Sequence, residues 1–431
     1  MNKINREILS IAVPSIITNI TTPLLALMDV VIVGHMGSAA YIAAIAVGGT
    51  IFNMLYWLFA FLRMGTSGLT AQAHGAADKD SCDLVLARGL LVAFAASIIM
   101  LICRNLILSF ANGILEVKSD IGIIVHEYFS ILIWGAPAYL GTFVLTGWFL
   151  GLKNAKAPMW VSFIINLSNI AISLFLVFVL GMKVKGVAFG TLSAQWIGFI
   201  IGISIAFLKY RPKFPSIDSL IRTAELKRFF SVNVDILFRT LCLIAVTVWF
   251  TRVGSTQGTV ILAVNTLLMQ FFILFSYFMD GFAFAGESLC GNSIGKRDIA
   301  ELNHTIKALF RWSIIMVIVF TVLYAAGGEW IMTLLSDDKD VILSSKEFFA
   351  WVIAIPAVGF AAFTWDGIFI GATRTREMLI SIAIATIVYF ALYSALFKMF
   401  GNHGLWIAFL AYLFSRGLML TLLRHKLVKA K

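Results

Sequence analysis

Asp29 stands inside the apolar run AVPSIITNITTPLLALMDVVIVGHMG, which begins at Ala12. A carboxylate at depth in a membrane-length segment costs about 2.5–3.5 kcal/mol on insertion scales, so it meets a polar cavity or a partner rather than lipid. Removal from water favours the neutral form of a carboxyl group, which makes Asp29 a candidate proton carrier. A structural carboxylate bonded to neighbouring helices is the plainer alternative. Four neutral polar residues offer Asp29 company. Asn166, Asn169 and Ser173 recur at i, i+3 and i+7 in the fifth apolar span and share one helix face, and Thr191 lies early in the sixth. Amides and hydroxyls at such places often serve as ordinary interhelical hydrogen bonds. Beside a carboxylate they form a site for H+, with Na+ as the alternative coupling ion.

Other ionisable residues in apolar spans read more simply. Asp235 and Arg239, at i and i+4 in the seventh span, are spaced to form a structural ion pair. Arg63 and Asp280 fall at equivalent places in two repeated halves, as an inter-lobe gate or as local structural pairs. Glu287 and Asp366 lie near helix ends or at cavity positions. His35 and His126 each sit alone at a helix end, the usual setting of an interfacial histidine. Catalysis has little support: the sequence holds no HExxH, GxSxG or GxxxxGK[ST], so the chain reads as a non-enzyme driven by an ion gradient. Cys82, Cys103, Cys242 and Cys290 are widely separated and form no CxxC, which indicates neither a disulfide framework nor a metal site, and no cofactor is expected.

The elements that hold these residues follow from composition. Of 431 residues, 60% are hydrophobic and 13% charged, with a mean hydropathy of +0.95; soluble domains average about 25% charged. The pattern is that of an all-α polytopic membrane protein. Twelve spans are expected: Ile8 to Gly34, Ile42 to Ala71, Leu84 to Ala111, Ile121 to Leu150, Met159 to Leu180, Val187 to Leu208, Phe229 to Thr251, Val260 to Phe284, Thr305 to Ala326, Val341 to Ile370, Met378 to Phe400 and Leu405 to Leu423. The net charge of +11 lies mostly in one set of connecting loops, with no basic and aromatic stripe for nucleic acid. By the positive-inside rule both termini are cytoplasmic in a multi-pass protein of the bacterial or archaeal cytoplasmic (inner) membrane. MNKINRE lacks the short apolar core of a cleaved leader and reads as retained. Pro14 and Pro23 each remove a backbone donor, which favours bends on either side of Thr18 and Asn19.

The longest connection, KYRPKFPSIDSLIRTAELKR (209–228), falls near the midpoint. It divides the chain into an N-lobe (1–208), a cytoplasmic linker (209–228) and a C-lobe (229–431). Internal similarity supports the division. MGSAAYIAAIAVGGTIFN resembles VGSTQGTVILAVNTLLMQ, so that Gly37, Ala46, Val47, Gly75 and Asp78 meet Gly254, Ala263, Val264, Gly295 and Asp298. TGWFLGLKNAKAPM pairs Gly147 and Gly151 with Gly367 and Gly371 of DGIFIGATRTREM. Six helices per half, an even number, predict two lobes related by a parallel pseudo-twofold axis along the membrane normal, as in many transporters. Carried back to the first span, the register sets Asp29 against Val246, so the carboxylate has no twin.

These stretches carry a resemblance. VPSIITNITTPLLALMDVVIVGHMG, FLRMGTSGLTAQAHGAAD, TGWFLGLKNAKAP, NIAISLFLVFVLGMKVKGVAFGT, VNVDILFRTLCL and YFMDGFAFAGESLCGNSIGKRD together resemble the multidrug and toxic compound extrusion (MATE) transporters, in their DinF branch, over essentially the whole chain. The resemblance implies twelve helices in a V-shaped pair of lobes, with drug export coupled to inward H+ or Na+ flow. The family's first-helix carboxylate falls on Asp29, its fifth-helix Asn on Asn169 and its sixth-helix Thr on Thr191. Where the fifth helix commonly offers an Asp, this chain has Ser173, which leaves the coupling to Asp29. The second-lobe sodium carboxylates of the NorM branch are not matched in register, and that role is not carried to Asp366. The function expected is proton-coupled export of small amphipathic, cationic organic compounds by a monomer whose partners are substrate and membrane lipid. Na+-coupled export, a lipid-linked precursor flippase and a non-transporting receptor are the alternatives. Few basic residues at depth argue against the flippase, and short loops argue against the receptor. Phe52, Met54, Trp57, Met269, Phe272 and Phe275 read as packing residues before cavity lining.

Overall fold

A computed structural model describes residues 3–34, 39–115, 119–213, 216, 220 and 223–427. His35, Gly37 and parts of the 209–228 connection lie outside them. Among the described residues every regular element is helical: α1 (Lys3–Gly34), α2 (Ala39–Trp57), α3 (Phe61–Gly75), α4 (Lys79–Ile102), α5 (Arg104–Leu115), α6 (Ser119–Leu132), α7 (Ala136–Gly151), α8 (Lys156–Leu174), α9 (Lys183–Ile205), α10 (Thr223–Thr256), α11 (Thr259–Gly295), α12 (Ile299–Leu335), α13 (Lys339–Gly371), α14 (Thr375–Phe400) and α15 (Asn402–Leu423). Among the described residues eleven stretches are long and apolar enough to cross a membrane. The 32-residue α1, about 48 Å long, supplies a twelfth by length. It is one continuous helix through both Pro14 and Pro23.

The chain forms two compact units, residues 13–229 and residues 1–12 with 230–431. Each has its own core. In the first, Phe52 stacks on Phe129 at 5.1 Å and Tyr56 on Tyr139 at 3.8 Å, beside buried Leu140, Val144 and Trp148. In the second, Phe271, Phe275 and Tyr324 pack with Trp406 and Phe409. The start of α1 is held in the second unit, where the Trp312 indole N–H donates to Asn5 Oδ1 at 3.3 Å. Of the aromatic and methionine residues singled out in the sequence, Phe52 and Phe275 are core, whereas Met54 and Trp57 are exposed. The connection after α9 is tied to the first unit: the Lys213 amide donates to Asp83 at 2.9 Å and Arg88 Nε to the Leu220 carbonyl at 3.2 Å.

The internal repeat is visible residue by residue. Asp78 caps α4 by accepting from the Ser81 amide at 2.9 Å, and Asp298 caps α12 by accepting from the Glu301 amide at 2.8 Å. The residues before the caps, Ala77 and Arg297, both take a left-handed conformation (φ 55° and 60°), as do Lys153 and Thr373 (φ 60° and 52°). Hydrogen bonds from the Ser81 hydroxyl and then its amide hold the Asp78 carboxyl below the usual range. Gly147 and Gly367 are equivalent close approaches. A Cβ there would overlap the carbonyl oxygen of Arg63 in the first unit and of Ala283 in the second. Gly147→Ala is expected to lower stability by about 1–3 kcal/mol, because backbone rather than a side-chain tip must move. The apparent melting temperature of the purified variant checks it.

This contact corrects the pairing of Arg63 with Asp280. Arg63 corresponds to Ala283, and the sequence register is three residues off at this point. The first half breaks its second span at Leu58–Ala60, between α2 and α3, whereas α11 runs unbroken. The two residues do not occupy equivalent places.

Candidate functional site

The first unit brings three of the expected polar residues together. Asp29 lies on the last third of α1, Asn169 near the end of α8 and Thr191 in the third turn of α9. All three are buried, with Asp29 only 4% exposed. Asn169 Nδ2 donates to Thr191 Oγ1 at 2.8 Å. The Thr191 hydroxyl has one proton and two acceptors in reach, Asp29 Oδ2 at 3.3 Å and the Val187 carbonyl one turn back at 3.1 Å. α8 and α9 pack closely enough for this contact because Gly190 has no side chain; a Cβ there would overlap Ser173 Oγ. Ser173 is fully buried. One residue further on, α8 passes into a π-helical turn over Phe175–Val179, a feature that recurs at functional sites.

Three oxygens of this cluster, Asp29 Oδ1, Asn169 Oδ1 and Ser173 Oγ, are buried without a hydrogen-bond partner among the described residues. Buried polar atoms are normally satisfied, so three orphans on neighbouring side chains mark a place where a proton or a hard cation would gain ligands. Asn166 is not part of it. Its Nδ2 donates to the Thr21 carbonyl at 2.9 Å and ties α8 to α1 two residues before Pro23. The i, i+3, i+7 face therefore divides: Asn169 joins the Asp29 cluster, Ser173 packs beside its α9 edge, and Asn166 serves the α1 backbone.

In the second unit the expected Asp235–Arg239 pair is not formed. The Asp235 carboxylate accepts from Thr375 Oγ1 at 2.9 Å. Arg239 instead donates to Asp366, which also accepts from Arg416 Nη2 at 2.6 Å. A buried carboxylate flanked by guanidinium groups outweighs a half-buried neighbour one helical turn away, because unpaired buried charge is the costlier arrangement. Arg416 packs over the Tyr412 ring at 5.5 Å and feels the charge of Asp280. Glu287 is 1% exposed on α11. Arg416 has no place among the residues singled out in the sequence; its signal is a lone arginine in the final apolar span, AYLFSRGLML. The His126 ring meets the Ser130 hydroxyl, one turn away on its own helix, at 3.5 Å. Val246, in the register of Asp29, is buried in apolar core.

A protein-family model named MatE matches residues 14–175 and 234–394, one copy in each half. The chain is 35% identical over 412 residues to DNA damage-inducible protein F of Escherichia coli, covering 95% of this chain and 90% of that one. It belongs to the MATE family. A second relative, multidrug resistance protein MdtK of Edwardsiella ictaluri, is 24% identical over 97% of this chain and 94% of its own. The crystal structure of a MATE protein in the bent conformation superposes with a TM-score of 0.85 at 18% identity, covering 99% of this chain and 96% of that one. The MATE fold and membership of a multidrug efflux transporter family follow, and with them a membrane transporter rather than an enzyme. The DinF resemblance is matched by the Escherichia coli relative.

Proposed function

We propose that this MATE protein exports small amphipathic, cationic organic compounds in exchange for H+, with Asp29 as the proton-carrying residue. The observation that carries the reading is the shared Thr191 proton. When Asp29 is ionised, the Thr191 hydroxyl donates to Asp29 Oδ2 while its oxygen accepts from Asn169. When Asp29 is protonated, its own O–H donates to Thr191, whose proton turns to the Val187 carbonyl. Each form has a complete hydrogen-bond arrangement at Thr191, and a single rotation of the hydroxyl converts one into the other. The substitution of Ser173 for a second acid keeps the site to one titratable group.

Ionised Asp29 favours a bound organic cation, and its protonation removes that attraction and releases the substrate. Pro14 and Pro23 weaken α1 on either side of Thr18 and Asn19, so the helix that carries the switch is the one most easily bent. One entering proton gains about 2.3 kcal/mol per 100 mV and one leaving monocation loses the same, so one-for-one exchange runs on the pH gradient alone. The oxygen set of Asp29, Asn169 and Ser173 also suits Na+, and that is the second reading. The positive-inside pattern supports a bacterial inner-membrane protein with both termini cytoplasmic. Reconstituted vesicles with separately imposed pH and sodium gradients test the choice: export of an organic cation is expected under the pH gradient and not under the sodium gradient. The reverse result overturns proton coupling.

A further inference from the structure

A second concave site lies in the other unit, at one end of α12 and α15. A cavity of about 580 Å³ opens between these helices, both of which pack on α13. Its floor is apolar. Ile306 and Phe310 come from α12, and Trp365 from α13 meets the Phe310 ring edge-on at 4.9 Å. The one polar group of the floor aromatics is satisfied internally, since the Trp365 indole N–H donates to Thr421 Oγ1 at 2.8 Å, which passes its own proton to the Gly417 carbonyl at 2.7 Å. The rim is basic, with exposed Lys307 and Arg424 and with His425 beside them. Among the described residues neither Lys307 nor Arg424 has an acidic partner within ion-pair distance.

The position suits the headgroup layer. α12 has 37 residues, about 55 Å of helix against a hydrocarbon core of about 30 Å, so it extends well beyond the apolar layer. Its first turns, IAELNHTIKALFR, are mixed and its apolar run begins after Arg311. Lys307 therefore falls among the polar turns, with Phe310 at the edge of the apolar layer. The volume lies in the range of pockets that enclose a small organic headgroup.

The repeat supplies an internal comparison. The first unit has a smaller cavity, about 320 Å³, which shares two of these positions, Cys82 and Asp83 for Leu302 and Asn303, and is lined by Asp78 and Lys79 as well. In the register fixed by Asp78 and Asp298, Asp83 is replaced by Asn303 and Ala87 by Lys307. The basic side chain of Lys307 therefore has no counterpart in the first unit.

From this complementarity we infer that the cavity is a binding site for an anionic phospholipid of the adjacent leaflet, with the phosphate between Lys307 and Arg424 and the first acyl methylenes on Phe310 and Ile306. The inference is independent of the transport reading, which rests on the other unit. The test is native mass spectrometry of the full chain taken from bilayers of mixed phosphatidylglycerol and phosphatidylcholine. Wild type is expected to retain phosphatidylglycerol in preference. Lys307→Ala with Arg424→Ala is expected to lower phosphatidylglycerol retention about 25-fold, the product of two basic side chains each contributing about fivefold at an anionic surface. Phosphatidylcholine retention stays unchanged, and Lys307→Arg with Arg424→Lys keeps the wild-type preference. Equal retention of both lipids by wild type, undiminished preference in the double alanine variant, or displacement of the lipid by excess inorganic phosphate overturns the assignment.

Discussion

Asp29→Asn is expected to reduce pH-gradient-driven export to the level of protein-free vesicles while the protein still inserts and folds. Asparagine keeps the volume of the side chain and an oxygen that accepts from Thr191, so the contact at 3.3 Å survives. What disappears is the capacity to exchange a proton and the negative charge that attracts a cation. The stability change is expected to stay within about 1 kcal/mol, the worth of one ordinary hydrogen bond. Two measurements decide the outcome together. In proteoliposomes the variant shows no export above background; with purified protein, substrate addition releases protons from wild type and none from Asp29→Asn. Full export by the variant, or unchanged proton release, removes Asp29 from the mechanism. Thr191→Val sharpens the assignment, because valine fills the same space without a hydroxyl. Asn169 Nδ2 then loses its acceptor, a cost of about 1–3 kcal/mol for a buried donor. The two protonation states lose their common hydrogen-bond partner, so the pH profile of transport is expected to shift while some export remains.

The Asp29 cluster was legible in the sequence because its members stand out against their spans. A carboxylate, an amide and a hydroxyl in apolar helices need partners, and few partners are available. The limit of that reasoning shows at Asn166, which shares the helical face of Asn169 yet serves the α1 backbone at Thr21. Periodicity states which side chains share a face but not what another helix presents opposite each of them. The repeat was legible through its glycines and caps, and it failed locally at Arg63 and Asp280. There the close approaches of Gly147 and Gly367, with the caps at Asp78 and Asp298, set a register three residues away from the one that the sequence upstream suggests. Asp235 and Arg239 illustrate a third limit. Spacing at i and i+4 permits a pair, but burial chose Asp366 for Arg239, a residue distant in sequence.

Asp366→Asn is expected to cost about 3–5 kcal/mol of stability, the penalty for removing one member of a buried ion pair. Asp366 Oδ2 accepts from both Arg239 and Arg416, which come from α10 and α15 and meet the acid near the end of α13. Its loss leaves two buried guanidinium groups facing an amide that carries no charge. Arg416→Met should cost less, about 1.5–3 kcal/mol, the value of a hydrogen bond to a charged group, because Arg239 and Asp366 then remain as a balanced pair. Methionine also retains contact with the Tyr412 ring that Arg416 covers at 5.5 Å. Combining the two substitutions is expected to cost less than their sum, since the second removes a charge that the first left uncompensated. Denaturation of the purified variants measures all three. An additive double variant, or an Arg416→Met more harmful than Asp366→Asn, shows that the cluster is not held by its central charge. Transport normalised to folded protein separates this carboxylate from Asp29. The Asp366 variant should yield fewer folded molecules that still respond to a pH gradient, because its acid is committed to two arginines, whereas Asp29 lies among neutral side chains, accepts from Thr191 at 3.3 Å and has an oxygen left open.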